Sequence, residues 1–254
     1  MERRIVVLRL AISLALGVPG GAGAAKAVSQ APGAGLVVLS REAQLSEGES
    51  RLDDATVEIL NPGCGGVLVG DARHVVTAAH CIADPWTALN IKTSSGEQTS
   101  AAVQIIDRGQ DFAILELVRA VREQPLEISE VAPNVGDTVL FISHVSQSGL
   151  QVQQIQRLGR CPSLPSVPAA LFTTIEAVKG DSGSPLVDER VRVVGLVHGG
   201  AACHIAAPTA VVAPILAKVI RGELPLVSGW VELKTPPVDE SRQQREARRP
   251  MRRP

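Results

Sequence analysis

The sequence predicts an all-β chain, and two observations carry that expectation. Short β-branched and apolar runs recur from residue 56 to residue 212, punctuated by turn residues such as Asn61-Pro62-Gly63, Gly70-Asp71 and Ser95-Gly96. Strands of this length and spacing build barrels or sandwiches. Helical spacing of apolar residues is missing from that region and first emerges at 214–221. With 45% hydrophobic residues, 2% aromatic residues and no tyrosine, the core has to be built mainly from Val, Ile, Leu and Ala.

Six β-prone runs come first, at 56–60, 66–69, 74–77, 88–92, 103–106 and 112–118. A second six follows at 138–142, 150–158, 171–175, 184–187, 192–198 and 209–212. Between the sets, 119–137 holds two prolines and several charges and reads as a junction. The apolar spacing at 214–221 predicts a short closing helix.

Both ends differ in character from the middle. Arg3 and Arg4, a nine-residue apolar stretch at 10–18 and Ala22-Gly23-Ala24 form the pattern of a secretory leader over 1–24. Its apolar part falls short of the roughly 20 residues that span a bilayer, so stable membrane insertion is not expected. Residues 25–54, rich in Ala, Gly, Ser and acids, read as a propeptide or an irregular arm. Residues 223–254 form an extension in which 224–233 still has apolar residues to pack, before an Arg- and Pro-rich tail. Such tails are usually solvated. The leader contributes +2 and the last sixteen residues +3 to a net charge of −1, which leaves −6 on residues 25–238. A body that acidic offers no groove to a phosphate backbone, so nucleic acid is excluded as a substrate class. Four cysteines in an exported chain, secreted or periplasmic, indicate two disulfides with three possible pairings; no Cys or His spacing suggests a metal site.

The chemistry concentrates in Gly180-Asp181-Ser182-Gly183-Ser184-Pro185. A serine between glycines in a tight turn presents a hydroxyl together with backbone N–H donors, which is what attack on a carbonyl requires. Upstream, Thr77-Ala78-Ala79-His80-Cys81 closes one β-branched run and Asp111-Phe112-Ala113-Ile114-Leu115 opens another. Together the three segments resemble the trypsin-like, chymotrypsin-fold serine peptidases, in their His, Asp, Ser order. The similarity spans roughly 55–222, with one departure: Ser184 stands where the family usually has glycine.

The resemblance implies two antiparallel six-stranded β-barrels and a short C-terminal helix, with His80 and Asp111 on the first barrel and Ser182 on the second. It implies an endopeptidase without metal or cofactor, acting on protein or peptide substrates. Ser182 would be the nucleophile, His80 the general base, Asp111 its orienting acid, and the backbone N–H groups of Gly180 and Ser182 the oxyanion hole. Glu176, six residues before the nucleophile, corresponds to the pocket floor and would favour Lys or Arg. His198 and Gly199 fall in the segment that pairs with substrate, His198 standing where relatives often carry Trp. Cys64 and Cys81 would be bridged, which leaves Cys161 with Cys203, although Val178 stands where many relatives carry a cysteine. In animal relatives the residue at Asp181 receives a new amino terminus after cleavage, and Leu36 or Val37 lies at a suitable distance to supply one. His74, His144 and His204 join no motif and are expected at the surface. The rival reading is a catalytically silent relative used as a binding module.

Overall fold

A computed structural model describes residues 41–200, 203–224 and 229–234. The leader, the arm up to residue 40, Leu36 and Val37, and the tail beyond 234 lie outside the described residues.

The described residues open with α1 (Arg41–Ala55). The chain continues through β1 (Thr56–Ile59), β2 (Cys64–Val69), β3 (His74–Thr77), a 3-10 turn (Ala79–Cys81), β4 (Leu89–Lys92), β5 (Gln98–Asp107) and β6 (Phe112–Leu117). These strands form a sheet in the order β5-β4-β1-β2-β3-β6, and pairing of β5 with β6 closes it into a six-stranded barrel. Strand β5 manages both neighbours because it is long and irregular. Gln98 to Ala101 pair with β4, Ala101 onward pairs with β6, and a register shift between Val103 and Ile105 bends the strand.

The second sheet runs β8-β7-β11-β12-β13-β10-β9. Its strands are β7 (Thr138–Ile142), β8 (Leu150–Gln154), β9 (Arg157–Gly159), β10 (Ala170–Phe172), β11 (Pro185–Asp188), β12 (Val193–His198) and β13 (Ile205–Pro208). Every pairing is antiparallel, and among the described residues none joins β8 to β9, so this half is a curled half-barrel rather than a closed one. Helix α2 (Val212–Ile220) follows, and β14 (Val231–Glu232) returns to lie parallel to β5 at Ile105 and Ile106.

Three apolar clusters explain why so many strands read as continuous apolar runs. Within β2, Leu68 faces the interior of the first barrel, whereas Val67 and Val69 face the seam between the two sheets. On β3, Val75 and Val76 divide in the same way, and on β6 so do Leu115 and Ile114. On the second sheet, Leu186 and Val194 fill the half-barrel while Val187 and Val193 join the seam. A strand buried on both faces loses the in-out alternation of a half-exposed one. The junction 119–137 threads along this seam and is hydrogen bonded to both sheets, Leu126 N–H to Leu68 O (2.9 Å) and Val193 N–H to Glu127 O (2.8 Å).

Several boundaries differ from the sequence expectation. The end of the arm, 41–54, is neither irregular nor detached: it is helical, and Leu52 and Ala55 are fully buried in the seam. The run expected at 150–158 is two strands, broken at Ile155-Gln156. The strand expected at 209–212 lies four residues earlier, in the small-residue segment Ile205-Ala206-Ala207-Pro208, and Thr209 leads into α2. The extension after 222 packs through Leu224, Val231 and Leu233 on the seam and Trp230 on the first barrel. Among the described residues no helix is long and apolar enough to cross a membrane.

Candidate active site

His80 is delivered by the end of β3 and the 3-10 turn that follows, a turn tied to β2 through the Cys64–Cys81 disulfide. Asp111 stands one residue before β6 with a left-handed backbone (φ 54°), a region that Asn and Asp tolerate better than most residues. The two meet squarely. The His80 backbone N–H donates to Asp111 Oδ1 (3.0 Å), and His80 Nδ1 lies 3.0 and 2.9 Å from the two carboxylate oxygens. Burial alone would raise the Asp111 carboxyl, but the nearby His198 ring and the hydrogen bonds from His80 outweigh it and hold the group below its ordinary 3.8. An ionised carboxylate only accepts hydrogen bonds, so the proton between the pair sits on His80 Nδ1 and the Nε2 lone pair is left to face outward.

The serine turn is braced from three sides. Asp181, 1% exposed, accepts hydrogen bonds from the Ser143 hydroxyl (2.9 and 2.8 Å) and from Val178 N–H (2.8 Å). Gly65 N–H donates to Ser182 O (2.7 Å) and Gly183 N–H to Val197 O (2.8 Å). At Gly183 (φ 85°) a Cβ would come within 2.2 Å of Thr77 Oγ1 and 2.5 Å of Gly65 O, so only glycine lets the second sheet close on the first here. Gly180 also has a positive φ (109°). Among the described residues, the backbone N–H groups of Gly180 and Ser182 have no hydrogen-bond partner, whereas those of Asp181, Gly183 and Ser184 do.

The Ser182 hydroxyl oxygen accepts a hydrogen bond from Gly199 N–H (3.1 Å), and no hydrogen bond links it to His80 among the described residues. The three motif segments are nonetheless joined through β12. Gly199 touches Ser182, and its neighbour His198 packs on His80 with ring centroids 4.3 Å apart and lies 3.8 Å (Nδ1 to Oδ2) from Asp111. At 3.8 Å this is an electrostatic contact rather than a hydrogen bond, and His198 Nδ1 is buried without a hydrogen-bond partner.

The three residues expected at the specificity pocket stand in different surroundings. The register of β12 turns His198 onto the His80–Asp111 pair. Gly199 belongs to the serine turn, where a Cβ would sit 2.2 Å from Val178 O. Glu176 is exposed, its backbone held by the Gln151 side chain (2.8 and 3.3 Å). A cavity of about 290 Å³ opens beside the turn instead, lined by Ile59, Gly65, Val145, Lys179, Gly180 and Ser184.

The bridges are Cys64–Cys81 and Cys161–Cys203. His74 is not a surface residue: it is buried and paired with Asp71 (2.7 Å). One nitrogen from each of His80 and His198 and one Asp111 oxygen all lie within 4.8 Å of one another, a spacing open to a metal ion. No sequence spacing announced that group, because its members are brought together only by the barrel closure.

A family model described as a trypsin-like peptidase domain matches residues 64–196. Among curated proteins no match is found. Solved structures similar to the chain include Deg5, at 19% identity with a TM-score of 0.55, covering 76% of this chain and 99% of that one. The HtrA-type protease AlgW bound to a tripeptide is 18% identical, with a TM-score of 0.57, covering 70% of this chain. A variant of AlgW in the same complex gives 19% and 0.56. The chain spans 64% of the length of the AlgW chains. At these identities the likeness concerns the fold.

Proposed function

Because the chain belongs to the trypsin-like peptidase family, we propose that it is a serine endopeptidase in which Ser182, His80 and Asp111 act as one unit. The observation that carries the reading is the His80–Asp111 pair, with Nδ1 held by both carboxylate oxygens and Nε2 free to accept a proton. The reading requires the Ser182 hydroxyl to leave Gly199 N–H and reach Nε2. The oxygen then attacks the substrate carbonyl as His80 takes the proton, and the same proton passes to the leaving amine. The Gly180 and Ser182 N–H groups would receive the developing oxyanion, a role worth about 3 kcal/mol of barrier per donor.

Asp181 is already served by Ser143 and Val178, so we propose that the turn does not depend on a freshly cut amino terminus. The lean toward Lys or Arg substrates rests on Glu176 alone. An exposed carboxylate contributes little through charge pairing, so the preference it confers is at most several-fold. Cleavage profiling on a peptide library should show that modest preference fading in Glu176→Gln. Two disulfides fit an oxidising compartment, which supports a secreted or periplasmic location.

One observation favours the rival reading of a silent binding module: Ser182 Oγ is bonded to Gly199 rather than to His80. A serine-reactive phosphonate separates the two. The endopeptidase reading expects covalent labelling at Ser182 and peptide hydrolysis that falls roughly 10⁴-fold or more in Ser182→Ala. A chain that stays unlabelled and cleaves no peptide would leave the binding module standing.

A further inference from the structure

We propose that His80, Asp111 and His198 form an inhibitory site for a transition-metal ion of the Zn²⁺ type. Two imidazoles and a carboxylate converge here, with His80 Nδ1 and His198 Nδ1 at 2.9 and 3.8 Å from the same Asp111 oxygen. Donors around a tetrahedral zinc, each about 2.0–2.2 Å from the metal, lie about 3.3 Å from one another. The two separations from Asp111 fall on either side of that value and all three donors lie within 4.8 Å of one another, so side-chain shifts without backbone movement bring all three onto one ion. A second observation points the same way: His198 Nδ1 is buried, aimed at the cluster and without a hydrogen-bond partner. An unsatisfied buried nitrogen carries a cost that a bound metal removes. The His80 side chain is 35% exposed, which leaves solvent a path to the fourth coordination position. Imidazole-rich donor sets select Zn²⁺, Ni²⁺ or Cu²⁺, whereas Ca²⁺ and Mg²⁺ require oxygen donors. Among the described residues no other group of three such ligands gathers.

The consequence follows from the tautomer. In the free pair the His80 proton sits on Nδ1 and Nε2 is the base. A metal on Nδ1 excludes the proton from that nitrogen; the ring stays neutral by carrying its one proton on Nε2 instead, exchanged through solvent with no net release, and a protonated Nε2 cannot accept another from Ser182. Asp111 is drawn onto the ion at the same time. Binding would therefore switch off the site without blocking substrate access. The inhibition rests on the endopeptidase reading, but the binding does not.

The test titrates Zn²⁺ into the full chain by calorimetry and follows peptide hydrolysis in parallel. One site of micromolar affinity is expected, weakened at least tenfold in His198→Ala and in His198→Asn, and unchanged in Ser182→Ala and in His204→Ala. Hydrolysis by the wild type should fall with the same midpoint and return on adding a chelator, while folded His198 variants need at least tenfold more Zn²⁺ for the same fractional loss. Binding no tighter than millimolar, or undiminished binding by a His198 variant with a native circular dichroism spectrum, overturns the proposal. A chain that binds Zn²⁺ as described yet hydrolyses nothing overturns the endopeptidase reading and keeps the metal site.

Discussion

Asp111 combines burial, a left-handed backbone and a carboxyl held below its ordinary titration range in one residue, which makes it separable by substitution. Asn shares its tolerance of that backbone, so Asp111→Asn should fold while losing the charge that orients His80; turnover is expected to drop about 10⁴-fold. Because the folded carboxyl lies below 3.8, the ionised form stabilises the fold. That contribution is complete above the ordinary value and is lost as pH falls through the lowered one. Denaturant unfolding should show the wild type ahead of Asp111→Asn at pH 7, with the gap narrowing below pH 3.8. A gap that stays constant with pH would show that the two forms differ by shape and not by charge. At Asp181 the discriminating residue is Ser143, whose loss leaves a buried carboxylate one donor short at about 1–3 kcal/mol. Ser143→Ala should be destabilised by that amount and Ser143→Thr largely restored. The pairing of His80 with Asp111 is legible in the sequence because each sits in a dense local motif. The partners Ser143 and His198 are not, since a lone serine in a loop and a histidine ending a strand acquire meaning only once strand register sets their direction.

Among the elements, β2, β3, β6 and β12 were legible as long apolar runs because both of their faces are buried. Strand β13 was hidden by its alanines, and α1 by its acids. Yet α1 carries Leu45, Leu52 and Ala55 at spacings of seven and three, the single stripe that docks on the seam. The departure at Ser184 also finds its meaning between elements. A Cβ on Gly65 of β2 would lie 1.9 Å from Ser184 Oγ, so the hydroxyl occupies the space that a larger residue at 65 would need. Gly65→Ala should cost about 1–3 kcal/mol through overpacking. Adding Ser184→Gly should recover much of it, giving a coupling of at least about 1 kcal/mol in a double-mutant cycle. Strictly additive effects would mean that the two positions adjust independently.

Across the molecule, two sheets contribute to one shared seam, and α1 belongs to that seam rather than to a separable arm. Leu52 is fully buried between the sheets, Thr56 Oγ1 donates to Leu52 O (2.7 Å), and Gln124 N–H in the junction donates to Asp54 Oδ2 (2.8 Å). The helix therefore contacts the first barrel, the junction and the second sheet at once, and its removal opens the seam between the two sheets. Leu52→Ala should cost about 2–5 kcal/mol, as expected for a large buried side chain whose site cannot collapse. A chain beginning at Arg41 should keep the full chain's unfolding midpoint in denaturant, whereas one beginning at Thr56 should unfold at lower denaturant or fail to fold. If the shorter chain matched the longer in midpoint and in phosphonate labelling, α1 would be a removable pro-segment after all, and the boundary at residue 55 read from composition would describe the working unit better than the seam does.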